Sequence, residues 1–485
     1  MSTQHPDNAT RPFFSTGPAL SGEEEVNEAH YVFDTLGCDE QMWDHEGKEV
    51  DMYVVPKLLS QYRPFFRKKP LGKKVFLTLR VPNPVRERSS AKGLLEILES
   101  IPRSYDVAHQ FDRRDIAPIF EVILPMTTNS IELTRIWNYY REFVIGKAQH
   151  PVVAGDITLK EWIGDFAPKN INVIPLIEDK PSLLSADSIV EGYLAGKEVP
   201  YQRVFLARSD PALAYGSATA VLMLKLALHR LHLLEKKIGI PLYPIVGVGS
   251  APFRGNFKPT NVPSRIRGYP SVQTFTIQSA FKFDYPEELV KTGINQIKRA
   301  KRGPPIPIEN EKVLIELIEK ISRQYARQVE KLTPLINEVA QHVPSRRKRK
   351  LHVGLFGYTR AVRGKRLPRA ISFCAALYSI GLPPELLGLS ALKPSDIKRI
   401  HEFYPNFGED LREALTCYDS ESLKIIPPTV AEEIKKTVRL VSDHVQPNLI
   451  HQSLVRALRK SIEKKETRDL TGLITQAARE RKFLG

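Results

Sequence analysis

The sequence predicts an α/β fold, a (β/α)₈ TIM-like barrel with extensive additional helices, and three observations predict it. Short β-rich runs recur from residue 75 to residue 356, helical patterns fill the gaps between them, and from Ala370 onward the chain is almost wholly helical. The runs are near-continuous apolar segments rather than strict alternations, as expected of parallel strands covered on both faces. Eight such runs match the strand number of a barrel closed by crossover helices.

In chain order the predicted strands are Val75 to Leu79, Ile119 to Leu124, Val152 to Ala154, Val173 to Ile177, Val204 to Ala207, Tyr243 to Val248, Thr274 to Ile277 and Leu351 to Phe356. The third and the seventh carry the weakest patterns. Helical periodicity covers Ser90 to Ser100, Ile131 to Lys147, Leu183 to Ala195, Pro211 to Lys236, Pro286 to Lys301 and Asn310 to Val343. About six further helices follow Ala370, broken at Leu382-Pro383-Pro384, Lys393-Pro394-Ser395 and Ile426-Pro427-Pro428, because proline lacks the amide a helix interior needs. One domain over residues 1–485 is expected, with an N-terminal segment (1–72), the barrel (73–369) and a C-terminal helical region (370–485).

Composition narrows the class. A 485-residue chain that is 42% hydrophobic and 26% charged excludes disordered and fibrous proteins. Its 71 basic and 55 acidic residues leave a net charge of +16, which calls for an anionic partner: nucleic acid, anionic lipid, or a phosphorylated or carboxylated substrate. Cys38, Cys374 and Cys417 lie far apart without a CxxC spacing, so neither a disulfide framework nor a thiolate metal site is expected, and a reducing cytoplasm fits. The opening MSTQHPDNAT has no apolar signal core. The longest uncharged apolar stretches, Pro211 to Leu224 and Ala370 to Pro384, fall short of the roughly 20 residues a spanning helix needs, so no membrane segment is expected.

In a barrel of this kind chemistry is expected where strands end at their C-terminal edge. There the sequence places Arg80, then Thr127, Thr128 and Asn129, Glu178-Asp179, Arg208-Ser209-Asp210, GVGSAPFRGNF (247–257) and GYTRAVRGKRLPR (357–369). Arginine forks bind phosphate and carboxylate bidentately at any physiological pH. Mg²⁺ takes one or two protein carboxylates and completes its shell with water and substrate oxygens, which makes Glu178 and Asp210 a candidate pair. The combination suits a small polyanion held on a divalent cation. Elsewhere blander readings apply: His5 in TQHPDNA as part of a polar tail, Trp43-Asp44 and Glu46-Gly47 as a helix end with an aromatic anchor, SRRKRK (345–350) as a solvated loop, and His229 and His232 as helix-face residues.

Taken in order, TQHPDNA, MWDHEGK, VIPLIED, ARSDPALAYG, GSAPFRG and RGKRLPRAISF resemble the archaeal-type phosphoenolpyruvate carboxylases, from residue 3 to Gly485. The resemblance implies a cytoplasmic, Mg²⁺-dependent (alternatively Mn²⁺), biotin-free enzyme that converts phosphoenolpyruvate and bicarbonate to oxaloacetate and phosphate, and an allosteric homotetramer with no nucleic-acid or membrane partner. It implies metal ligation by Glu178 and Asp210, and catalytic roles for His5, Arg80 and Arg254. Arg369 matches the arginine at the start of the family's SLRAIPW-like helix. Three residues depart from the larger carboxylases: Val246 and Val248 stand where those have a histidine and a second arginine. Leu213 stands where they have a lysine. Arg208, Arg360, Arg363 and Arg366, with Ser209, are the candidates to supply substrate binding and the missing charge. A metal-dependent barrel lyase or mutase acting on phosphoenolpyruvate or an oxo-acid would use the same groups. A protein binding nucleic acid through SRRKRK and KRAKR (298–302) is the alternative from another class.

Overall fold

The computed structural model describes residues 1–46, 50–348, 361–441 and 445–485. Among the described residues seven strands form one parallel sheet in sequence order: β1 (Glu40–Asp44), β2 (Phe76–Arg80), β3 (Glu121–Leu124), β4 (Asn172–Ile177), β5 (Gln202–Ala207), β6 (Leu242–Gly247) and β7 (Thr274–Phe275). The sheet curls until its two edges meet across the N-terminal residues. Ser2 forms parallel bridges to both Gln41 and Ile277. Its amide donates to the Glu40 carbonyl at 2.7 Å and its carbonyl accepts from Met42 at 2.9 Å, while Ile277 donates to Met1 at 2.9 Å. Met1 to Thr3 thus act as a stave between β1 and β7.

Register explains the two faces. Met42, Ile123, Ile174, Leu176, Phe205, Ala207 and Ile245, spaced by two along their strands, form a small apolar cluster inside the barrel, with Met1 packed on it. Their neighbours Trp43, Leu77, Leu79, Val122, Val173, Val204 and Val246 face the helical coat and join the main core. At the N-terminal end the interior is closed by charge. Arg203 bridges Glu40 at 2.8 Å and Glu121 at 2.6 Å, and Thr78 donates to Glu40.

The long helix Ser217–Ile238 has the length and apolarity to cross a bilayer, but here 78% of its most apolar window is buried against neighbouring elements. It starts at Gly216, whose φ of 95° breaks the helical run predicted from Pro211 into Ser209–Tyr215 and Ser217–Ile238. A second core forms where the helix Glu311–Ala340 meets five of the six α-helices that follow Arg369 among the described residues, with Phe373, Cys374, Leu377 and Tyr378 buried in it; the helix Pro394–Phe403 packs on the first core instead. All three cysteines are buried free thiols.

Two of the predicted strands need comment. Val152 to Ala154 form no strand; Val152 and Val153 are 68% and 61% exposed, on a surface excursion before the short helix Leu159–Ile163. Two adjacent valines have strand-like composition, but no second layer covers them there, and pairing needs a neighbouring strand in register. Leu351 to Phe356 lie outside the described residues. The strand missing from the predicted set is β1: Glu40–Asp44, in the segment read as a helix end, pairs in parallel with β2 from Glu40↔Phe76 to Asp44↔Arg80.

Candidate active site at the carboxyl ends of the strands

Because each strand delivers its last residues to the same rim, residues far apart in sequence converge there. A cavity of about 230 Å³ opens at this end, lined by His5, Glu46, Arg80, Ser209, Asp210, Arg254, Ser345, Arg346, Arg369 and Ser372 among others. Four arginines and two carboxylates therefore face one small volume. A larger cavity, about 460 Å³, lies at the opposite mouth around the Arg203 ion triad, away from every one of these groups.

His5 reaches the rim because Met1 to Thr3 act as a stave, so the segment read as a polar tail is structural. Thr3 Oγ1 lies 3.0 Å from His5 Nδ1 and holds the ring, and the His5 carbonyl accepts from Ser279 at 3.1 Å. Arg80, the last residue of β2, is gripped by Asp44 at 2.7 and 3.0 Å, and Glu46 pairs with the same guanidinium. The two carboxylates of MWDHEGK thus anchor Arg80.

Arg254 sits on the loop after β6 and is 1% exposed. Its Nε donates to Ser209 Oγ at 3.0 Å, its Nη1 to Asp7 Oδ2 at 3.3 Å and to the Gly485 carbonyl at 2.8 Å, and its Nη2 to Gln278 Oε1 at 2.5 Å. A guanidinium has five N–H groups, so four are committed to protein acceptors and one, on Nη2, remains for the cavity. The loop closes tightly: Gly255 has φ 127°, and a Cβ there would meet the Val248 side chain at 2.7 Å.

The carboxylates of the candidate metal pair come from adjacent strands. Glu178 follows β4, and its Oε2 accepts from the Met126 amide at 2.7 Å, while Asp210 lies in the first turn of Ser209–Tyr215, directly after β5, and lines the cavity. Among the described residues no group of three or more His, Cys, Asp or Glu side chains converges. Asp210 is at the cavity wall, whereas Glu178, at the end of the adjacent strand, is not among the residues that line it. Hard oxygen donors of this kind suit Mg²⁺ or Mn²⁺, which keep water and substrate oxygens in their shell, and do not make an all-protein cage.

The other candidate arginines separate. Arg369 lines the cavity at the start of the helix Ala370–Ser379. Arg208 is buried and turns away, donating to the Ser217 carbonyl at 3.1 Å and Oγ at 3.3 Å. Arg363 and Arg366 are exposed on a hairpin of residues 361–366, with Arg363 paired to Glu330 at 3.0 Å. Arg360 lies outside the described residues. Leu213 is fully packed in the second core, and Val246 and Val248 in the first.

Arg346 is the residue that sequence reasoning missed. Its run, SRRKRK, looks like a solvated loop, yet Arg346 and Arg347 are 7% and 2% exposed. Arg346 lines the cavity and is held by the Asn8 and Ala9 carbonyls, at 3.3 and 2.8 Å. Burial, reinforced by the charge of Arg11, pushes its pKa below the ordinary arginine value, so an anion in the cavity would be favoured. Arg347 points the other way, into Glu25 and Glu28. Composition marks such a run as surface; only the contacts of its neighbours with residues 8, 9, 25 and 28 separate its members.

Comparison with known proteins shows the family. A family model described as phosphoenolpyruvate carboxylase matches residues 1–485. The chain belongs to the phosphoenolpyruvate carboxylase family. Relatives named phosphoenolpyruvate carboxylase include one from Methanothermobacter thermautotrophicus, 51% identical across 100% of this chain and 99% of its own length. One from Methanospirillum hungatei is 50% identical with the same coverage, and one from Pyrococcus furiosus is 51% identical over 90% of this chain and 89% of its own length. Membership of the carboxylase family thus spans the barrel, the rim loops and the C-terminal helices alike.

Proposed function

We propose that this chain carboxylates phosphoenolpyruvate with bicarbonate, giving oxaloacetate and phosphate, in the cytoplasm and without biotin. The observation that carries the reading is the meeting of His5, Arg80, Arg254, Arg346 and Arg369 with Asp210 around one cavity of about 230 Å³. A divalent cation held by Glu178 and Asp210, Mg²⁺ or Mn²⁺, would supply Lewis-acid stabilisation of negative charge on the substrate.

The chain's own groups do the rest. Arg369 and Arg346 bind the carboxylate and phosphate of the trianion, and Ser209 and Ser372 add hydroxyl donors at the wall. Bicarbonate attacks phosphorus, forming carboxyphosphate and the enolate of pyruvate. The remaining N–H of Arg254 and the clamped Arg80 offset charge that spreads over the transferring phosphoryl oxygens. His5, the histidine at the cavity wall, takes the carboxyphosphate proton. Phosphate then departs, and the CO₂ so released is attacked by the enolate carbon. The rim segments 1–10 and 247–257 wall the cavity, limiting CO₂ escape and protonation of the enolate.

The test is oxaloacetate formation, followed by coupled reduction to malate. Turnover should require phosphoenolpyruvate, bicarbonate and a divalent cation, and be indifferent to avidin and nucleotide. Consumption of phosphoenolpyruvate without bicarbonate would instead favour a lyase or mutase; no turnover at all would end the proposal.

We further propose a homotetramer. Phe143, Val152, Val153, Ile157, Trp162 and Ile163 are all more than half exposed within 21 residues of chain, an apolar concentration that supports burial against another copy. Light scattering should give a particle of four chains, and Trp162→Ser with Val152→Ser should yield smaller species. An unchanged mass in that variant would exclude this surface from the assembly.

A further inference from the structure

Asp7 lies two residues beyond His5, is fully buried, and does not line the cavity. It has no direct route to substrate, yet its carboxylate joins three segments. Oδ1 accepts from the Ala280 amide at 2.7 Å, at the start of the helix Ser279–Phe283 after β7. Oδ2 accepts from the Ser250 amide at 3.4 Å and from Arg254 Nη1 at 3.3 Å, both on the loop after β6. The backbone around it is stitched as firmly: the Asp7 amide donates to the His5 carbonyl at 3.1 Å, and the Asp7 carbonyl accepts from Leu484 at 2.6 Å. One side chain therefore holds the turn that carries His5 and the guanidinium of Arg254.

We propose that Asp7 is a positioning residue that couples His5 to Arg254, setting the placement of both against the substrate. This rests on the catalytic reading of those two residues. The chemistry calls for a carboxylate. Its two oxygens meet three donors, all N–H, whereas an asparagine would offer one oxygen and turn an NH₂ toward donors. A guanidinium held on one flank by Asp7 and Gly485, on another by Gln278 and at Nε by Ser209 has its remaining N–H aimed by these contacts. A misplacement of about 1 Å at such a group can cost about 100-fold in rate.

The experiment is a double-mutant cycle on the full-length chain, read by kcat and KM separately. Asp7→Asn is expected to lower kcat about 100-fold while KM for phosphoenolpyruvate moves much less, with a cooperative melting transition retained. In an Arg254→Lys background, where the guanidinium is already gone and only the placement of His5 is left to lose, Asp7→Asn should cost at least about tenfold less than it does in the parent, since coupled residues are not additive. Parental kcat in Asp7→Asn, or losses that simply multiply, would overturn the inference while an inactive Arg254→Ala still supported the catalytic reading. A fully active Arg254→Ala would overturn that reading and this inference together. Should Asp7→Asn not fold, Asp7→Glu keeps the charge and displaces it by one methylene. It is expected to lose kcat with KM nearly kept, and parental kcat there would overturn the inference equally.

Discussion

Replacing Arg254 with alanine should lower kcat about 10³-fold, the scale on which a lost charge-stabilising donor is felt in a dry site, in a chain that still folds. Two costs need separating. The catalytic one is removal of the single N–H that the protein leaves for the cavity. The structural one is that Asp7, Ser209, Gln278 and the Gly485 carbonyl lose their shared donor. Burial already pushes the Asp7 carboxyl above its ordinary pKa, against the opposing charge of Arg254 and its backbone donors. Without Arg254 it can take up a proton rather than remain a buried charge, which limits the damage to stability. Far-UV circular dichroism and a melting curve beside the steady-state assay separate these costs. Activity within tenfold of the parent would remove Arg254 from the catalytic apparatus.

The second large effect is on stability. Arg347→Met should destabilise the fold by about 3–5 kcal/mol, the range for breaking a buried ion pair from one side. Arg347 pairs with Glu25 at 3.1 Å and with Glu28, and Glu28 also takes Lys282 at 2.8 Å; all four side chains are at most 1% exposed. Lys282 also donates to Ser2 Oγ and the Thr3 carbonyl, so this network ties the helix Glu23–Asp34 and residues 345–348 to the stave that closes the barrel. Burial pushes the Glu28 carboxyl up, but the charges of Arg347 and Lys282 outweigh it and hold its pKa below the ordinary 4.5. Its stabilising share is therefore fully present above about pH 4.5 and lost as pH falls through the lowered value. In the variant two buried carboxylates face one lysine, so protonation relieves rather than harms. Denaturant melts should show a deficit larger at pH 7 than at pH 5; a deficit independent of pH, or below about 1 kcal/mol, would contradict the ion-network account.

The +16 charge takes on a specific meaning in the fold. Lys298 and Arg302 of the KRAKR run pair with Asp39 and Glu235, and Arg346 and Arg347 of the SRRKRK run are buried. Much of the basicity that suggested a polynucleotide partner is spent within the chain. What reaches the cavity is four arginines.

Barrel class, the strands β2 to β7 themselves (though with a false strand at Val152 to Ala154 set between β3 and β4), the six C-terminal helices among the described residues and the strand-end positions of Glu178, Asp210, Arg80 and Arg254 were legible from sequence, because apolar runs buried on both faces and proline breaks are local signals. Tertiary structure alone decided the rest. Met1 to Thr3 carry no hydrophobic pattern and act as a stave only because the edges of β1 and β7 need acceptors and donors between them. β1 mixes Glu40, Gln41 and Asp44 with Met42 and Trp43; its carboxylates are buried because Arg203 and Arg80, on other strands, neutralise them. Arg208 and Arg254 look alike beside their motifs, yet one donates to Ser217 and the other faces the cavity. Local pattern reports which residues are buried and in what period; which charge meets which depends on chain segments more than 200 residues apart, as Asp7 and Arg254 are, and that is settled only when the barrel closes.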